Sequence, residues 1–213
     1  MKRAVRFFAV MLALIMCMSC AVAEGHGPID FSDSEAKAAN LFLSNFTEVG
    51  VRRLDSFPSD MELVDFAHDH LWFNSNDEYE YGEYYNGNNC RVSDDRIQGI
   101  VDKYFYYVPK RVELSETRFD YDGEYYYHCE TGGWINDGFA HVVSICPMED
   151  DMYYISFLIY GGGNYWKNEV MGWSVSMIEA EYGAPTGFGA AMVHAEDLSD
   201  RSTYKLVSFA RLW

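Results

Sequence analysis

Phe139-Ala-His-Val-Val-Ser-Ile-Cys146, then Glu149-Asp150-Asp151, then Tyr153-Tyr-Ile-Ser-Phe-Leu-Ile-Tyr160 is the stretch that decides the fold. Two runs of β-branched and aromatic residues flank an acidic turn, so they read as adjacent antiparallel strands. Working outward, the chain after Pro109 keeps this character. Further strands fit Arg118-Tyr121 and Glu124-Cys129 around the turn Asp122-Gly123, and Gly172-Ile178, Gly189-Ala195 and Thr203-Leu212. In the last run Tyr204, Leu206, Ser208 and Ala210 alternate with Lys205, Val207, Phe209 and Arg211, which predicts a sheet covered on part of both faces.

Before Pro109 the spacing is helical. Ser32-Asp33-Ser34-Glu35 and Ser59-Asp60-Met61-Glu62 are capping boxes, in which the serine accepts from a backbone amide and the glutamate reaches back. The first box opens a helix with Ala39, Phe42, Leu43 and Phe46 on one stripe. The second opens one with Leu63, Phe66, Ala67, His70 and Leu71. A third helix starts at Ser93, aligns Ile97, Ile100, Val101, Tyr104 and Phe105, and is stopped by Pro109. Residues 74–89 are nearly free of aliphatic side chains and read as a mobile surface loop.

Helices first and an antiparallel meander afterwards describe an α+β domain with helices laid across one sheet face. By analogy the expected geometry is a curved sheet of the NTF2-like or cystatin-like type. A single domain is expected over residues 24–213, with residues 1–23 as a signal peptide. Lys2, Arg3 and Arg6 precede an apolar run from Phe7 to Met18, and Ala21-Val22-Ala23 supplies the small residues before a cut. The protein is therefore expected to be secreted, with no membrane insertion after cleavage. The alternative is a lipid anchor through Cys20, although Cys17-Met18-Ser19 fits a lipoprotein box only at Ser19.

The 213-residue chain has a formal charge of −17. That charge repels nucleic acid and anionic lipid, and no nucleic-acid partner is expected. Three cysteines follow the leader: Cys90, Cys129 and Cys146. If the runs ending at Cys129 and beginning at Phe139 pair as a hairpin, Cys146 lies roughly 23 Å from the partner of Cys129. A disulfide from Cys90 to one of the other two is then the expected bond.

The segments Asn40-Leu-Phe-Leu-Ser-Asn-Phe46, Lys103-Tyr-Phe105, Tyr125-Tyr-Tyr127 and Tyr204-Lys-Leu-Val207 resemble those of uncharacterised exported proteins and lipoproteins of Gram-positive anaerobic bacteria. The resemblance implies an exported α+β domain and supplies no activity, substrate or catalytic residue.

No motif for a metal or cofactor stands up, and none is expected to bind. In His68-Asp69-His70 the imidazoles point about 200° apart on a helix and cannot share one ion, and His70 falls on the apolar stripe. Asp120-x-Asp122-Gly123-Glu124 lacks the first acid of a calcium loop and has Cys129 where its last glutamate belongs. No catalytic set is read, and the enzyme question leans to no. The remaining signal is aromatic, with 17 Tyr, 14 Phe and 5 Trp in clusters. Tyrosine and tryptophan combine a flat apolar face with a polar edge, which suits sugar rings and protein surfaces. The expected function is that of a non-catalytic domain binding an extracellular protein, glycan or envelope ligand through Tyr125, Tyr127, Trp134, Tyr165 and Trp166. Of these, Gly161-Gly-Gly-Asn-Tyr-Trp166 is the candidate recognition loop. The alternative is a secreted hydrolase using carboxylates or a Cys/His pair such as Cys129 with His141.

Overall fold

The structure, a computed structural model, describes residues 28–107, 119–129, 138–161 and 168–212. Both capping boxes form as the sequence predicts. Ser32 and Ser59 each accept from the amide three residues on, while Glu35 and Glu62 accept from the serine amides at 2.6 and 2.8 Å. They start α1 (Asp33–Glu48) and α2 (Asp60–Asn74). The third helix, α3 (Asp94–Tyr104), opens at Ser93 and stops short of Pro109, because Phe105 is already extended and bridges to Leu206.

The chain is α+β, with antiparallel strands in two sheets. In the large sheet β1 (Arg53–Leu54), β9 (Lys205–Arg211), β8 (Gly187–His194), β7 (Met152–Tyr160) and β6 (Phe139–Pro147) lie in that order. The deciding hairpin pairs Phe139 with Tyr160 at one end and Pro147 with Tyr153 at the other. The small sheet has the order β2 (Glu80–Tyr81), β3 (Cys90–Ser93), β5 (Tyr125–His128) and β4 (Asp120–Tyr121).

One large cluster joins the helical stripes to Ile155, Phe157, Ile159, Leu206 and Phe209 of the large sheet. Alternate residues of β7, Leu158 and Tyr160, point the other way into a second cluster with Val170, Met171, Ile178 and Phe188. The sheet is thus covered on part of both faces. The alternation of β9 breaks at a bulge: Val193 pairs Leu206 and Met192 pairs Ser208, so Val207 is the extra residue. Past it the phase flips, and Leu206 and Phe209 enter the same core despite their odd spacing. Val143 is the corresponding extra residue in β6.

β9, beside the two-residue edge strand β1, and the edge strand β6 both find partners beyond the main ladder. β9 is flanked by β1 at Phe209 and Ala210, and by Tyr106, whose amide donates to the Leu206 carbonyl. On β6, polar side chains of α1 replace a strand. Asn40 accepts from the Val142 amide (2.6 Å), Ser44 accepts from the Ala140 amide (3.0 Å) and Thr47 donates to the Gly138 carbonyl (2.9 Å). Asn40 also donates to the Met171 carbonyl at 2.9 Å. All three α1 residues are fully buried, so their bonds satisfy backbone groups that water cannot reach. Asn40→Leu leaves a buried amide and a buried carbonyl without this partner. A stability loss of about 2 kcal/mol is expected by urea denaturation.

Four expectations are corrected. Gly172–Ile178 is not a strand: it ends a 3-10 turn (Asn168–Gly172) and begins α4 (Val175–Tyr182), whose Ile178 fills the second cluster. Residues 74–89 are not structureless, since they include two 3-10 turns and β2, and Tyr79 is buried against His68 and Trp72. Cys129 and Phe139 do not belong to one hairpin, because β5 pairs with β3 and β6 with β7. No disulfide joins Cys90, Cys129 and Cys146. The Cys90 thiol instead donates to the His128 carbonyl, Cys129 is exposed beyond β5, and Cys146 is buried in the other sheet.

Candidate functional site

The small sheet has two unlike faces because side chains alternate along each strand. Cys90, Val92 and Tyr126 point inward and are buried. Tyr121 and Tyr126 donate to the Asp94 carboxylate at the start of α3, at 3.1 and 3.5 Å, which fixes the sheet to that helix. The outward face carries Glu80, Arg91, Tyr127 and Asp120, paired side by side in one row across all four strands.

This row is tied together by charge and ring contacts. Arg91 donates twice to Glu80 Oε2, from Nε at 2.8 Å and Nη2 at 2.6 Å. Its guanidinium lies 3.9 Å from the Tyr125 ring centre and 4.9 Å from that of Tyr84. The Glu80 bond holds the Arg91 pKa even further above its ordinary range. At the other end of the row, the Tyr127 hydroxyl donates to Asp122 Oδ2 at 2.5 Å. This bond raises the Tyr127 pKa, and together with the amides of Tyr125 and Glu124 it lowers that of Asp122. Asp120 accepts from Asn88 and Asn86, at 2.8 and 3.3 Å.

A short loop brings two further rings over the sheet. Its reversal uses Asn86 and Gly87 at φ of 57° and 78°, a left-handed pair that asparagine and glycine tolerate best. Tyr84 and Tyr85 consequently sit 5.8 and 6.5 Å from the Tyr127 ring. Tyr85 is 66% exposed whereas Tyr127 is 7% exposed, so Tyr127 supports the surface and Tyr85 presents it. Tyr125 is half-buried beneath Arg91.

Of the five residues expected to bind, Tyr125 and Tyr127 share this face, while Trp134, Tyr165 and Trp166 lie outside the described residues. Tyr84, Tyr85, Arg91, Glu80 and Asp120 complete the face. The nearest sequence signal for them is the dense run of tyrosines from Tyr79 to Tyr85, inside a segment whose polar composition resembles a loop.

The other candidate chemistry separates in space. Cys129 follows β5 of the small sheet while His141 sits inside β6 of the large one, so strand pairing does not bring them together. His141 lies 3.4 Å from Asn40, and burial lowers its pKa. His70 stacks on Phe66 and lies 3.1 Å from Asn74 Nδ2. His68 belongs to a different group of rings with Phe119 and His128. Among the described residues no three His, Cys, Asp or Glu side chains are grouped to hold a metal, and no helix is long and apolar enough to cross a membrane. Glu48 is pushed up to about 7 by burial, a value suited to acid–base work, but it is 2% exposed and bonded to Asn74 at 2.7 Å. A substrate has no access to it in this conformation.

No family model, curated protein or solved structure matches this chain.

Proposed function

We propose that the chain is an exported, non-catalytic binding domain whose small-sheet face takes a neutral envelope or extracellular glycan. The observation that carries this reading is the Tyr84–Arg91–Tyr125 stack, with Tyr85 projecting beside it. Tyrosine rings offer flat apolar faces to the C–H side of a sugar. Asp120, Glu80, Asn86 and Asn88 ring them with groups able to bond hydroxyls. Because Arg91 and Glu80 already neutralise one another, the face has no surplus cation among the described residues for an acidic polymer, and the chain's net charge of −17 opposes one. Export rests on the basic, apolar leader ending at Ala23, with anchoring through Cys20 as the alternative address.

A glycan array probed with the purified protein is expected to give signals on neutral glycans and none on uronic or sialylated ones. Tyr85→Ala and Tyr125→Ala should each weaken the strongest neutral signal about tenfold, equivalent to about 1.4 kcal/mol per ring. Tyr85 is mostly exposed, so its variant should melt within 2 °C or so of the parent. An array on which both variants perform like the parent would remove this face from the binding site.

A further inference from the structure

A separate pocket of about 200 Å³ opens between α1, α3 and the 3-10 turn Arg201–Thr203, lined by Phe42, Asn45, Lys103, Tyr104, Arg201 and Ser202. It shares no residue with the aromatic face. Its chemistry runs against that of the whole chain, in which 33 acids outnumber 16 bases. Among the described residues two cations line it and no carboxylate does.

Nearby cations are already engaged. Arg96 pairs with Glu78, and the Lys205 ammonium donates to the carbonyls of Asp102 and Lys103 at the end of α3. Lys103 and Arg201 differ: among the described residues neither side chain has a carboxylate partner. Asp200, the acid next to Arg201, spends its carboxylate on the Ser202 amide (2.9 Å). The Lys103 ammonium lies 4.9 Å from the Tyr104 ring centre. Its pKa is lowered by burial and then by repulsion from Arg201 and Arg96, as expected of like charges held together without a counter-ion.

The walls define what would fit. Asn45 is fully used, since its amide donates to the Leu41 and Phe42 carbonyls and its oxygen accepts from the Tyr104 hydroxyl at 3.2 Å. Among the described residues the free donors are therefore Lys103, Arg201 and the Ser202 hydroxyl, set beside the small exposed parts of Phe42 and Tyr104, 3% and 6% of each residue. A fork of donors over an aromatic wall suits a planar monoanion with an apolar body. A dianion gains less here, because the negative field of the chain opposes the second charge.

We infer that this pocket binds a small organic carboxylate, with Lys103 and Arg201 clamping the carboxylate and Phe42 and Tyr104 packing its apolar part.

Two-dimensional NMR of the purified, isotope-labelled chain tests this with three probes: sodium benzoate, its neutral analogue benzamide, and inorganic phosphate. Benzoate is expected to shift the amides of Asn45, Tyr104 and Ser202 with an affinity on the order of 1–10 mM, as befits so small a ligand. Benzamide should leave them in place, and phosphate should bind more weakly than benzoate. Lys103→Gln and Arg201→Gln, both exposed substitutions, should each weaken benzoate at least about fivefold while Tyr125→Ala leaves it unchanged. Equal shifts with benzamide would make the pocket merely apolar. Phosphate binding without benzoate binding would make it an inorganic-anion site, and benzoate shifts elsewhere, or unaffected by both variants, would remove the clamp. Each of these results overturns the inference, as does an unchanged spectrum with all three probes. None of them bears on the aromatic face.

Discussion

Phe46→Ala is expected to lower the unfolding free energy by 3–5 kcal/mol or so, the range for deleting a buried phenylalanine that leaves a cavity. Phe46 is fully buried, and its ring lies 4.6 Å from Phe66, 5.4 Å from Phe42, 5.7 Å from Phe209 and 6.0 Å from both Tyr104 and Phe105. Those neighbours belong to all three N-terminal helices, the segment after α3, and β9. One side chain therefore ties the helical layer to the large sheet. Against a typical stability of about 5–15 kcal/mol, the loss should drop the melting temperature by about 10 °C. The denaturant slope should stay unchanged, since the fold itself is retained. A loss under about 1 kcal/mol would mean that the helices do not depend on this contact.

The second large effect is a change in how stability responds to pH. Burial pushes Glu48 up to about 7, against the smaller opposing effect of its bond to Asn74. The folded chain then holds this proton more tightly than the unfolded one. The resulting stabilisation is complete below about pH 4.5 and is lost as pH rises through 7, a total of about 3 kcal/mol. His70 does the reverse. Burial, and then the Lys103 charge, push it down to about 3, so its contribution is complete above about pH 6.5 and is lost as pH falls toward 3.

Between about pH 4.5 and 6.5 the two slopes oppose each other, and the contribution of the pair to stability should be nearly flat. Glu48→Gln keeps the acceptor for Asn74 and removes the titration. In the variant the His70 slope stands alone, at about 1.4 kcal/mol per pH unit over this interval. At pH 8 the variant should be the more stable protein by up to about 3 kcal/mol, because the parent then buries an ionised carboxylate. Urea titrations of both proteins from pH 4 to 8 measure the difference directly. A constant gap across that range would show that Glu48 does not titrate with burial.

The sequence was most legible where side chains act within one element. Ser32 with Glu35, and Ser59 with Glu62, mark helix starts by local bonding, and the stripe from Ala39 to Phe46 needs only helical periodicity. The hairpin of β6 and β7 is readable because long apolar runs flank one turn. Three features depended on distant partners and left little local trace. The bulge at Val207 reverses the in–out order of β9, which a strict two-residue count misses. Val175-Ser-Met-Ile178 has a strand-like composition over a few residues, and burial of Ile178 in the second cluster is what a short window lacks. The small sheet is made of strands two to four residues long, below the length at which alternation is distinctive.

The candidate site was half visible for the same reason. Tyr125 and Tyr127 stood out as part of a tyrosine triplet, but the alternation that sends Tyr126 inward and the other two outward became informative only once β5 was placed beside β3. Arg91 and Glu80 are eleven residues apart, and nothing nearby in the chain announces their pairing. Tyr84 and Tyr85 reach the face through the left-handed turn at Asn86-Gly87, which the composition of residues 74–89 concealed as loop.

The central claim, that the outward face of the small sheet is the ligand surface, is tested most directly by NMR of the protein with its tyrosine rings isotopically labelled, titrated with the strongest glycan from the array. The account predicts that ring signals of Tyr84, Tyr85 and Tyr125 shift together and saturate at one affinity, while the buried Tyr160 and Tyr204 rings do not move. Saturable binding that leaves those three rings unperturbed would contradict it.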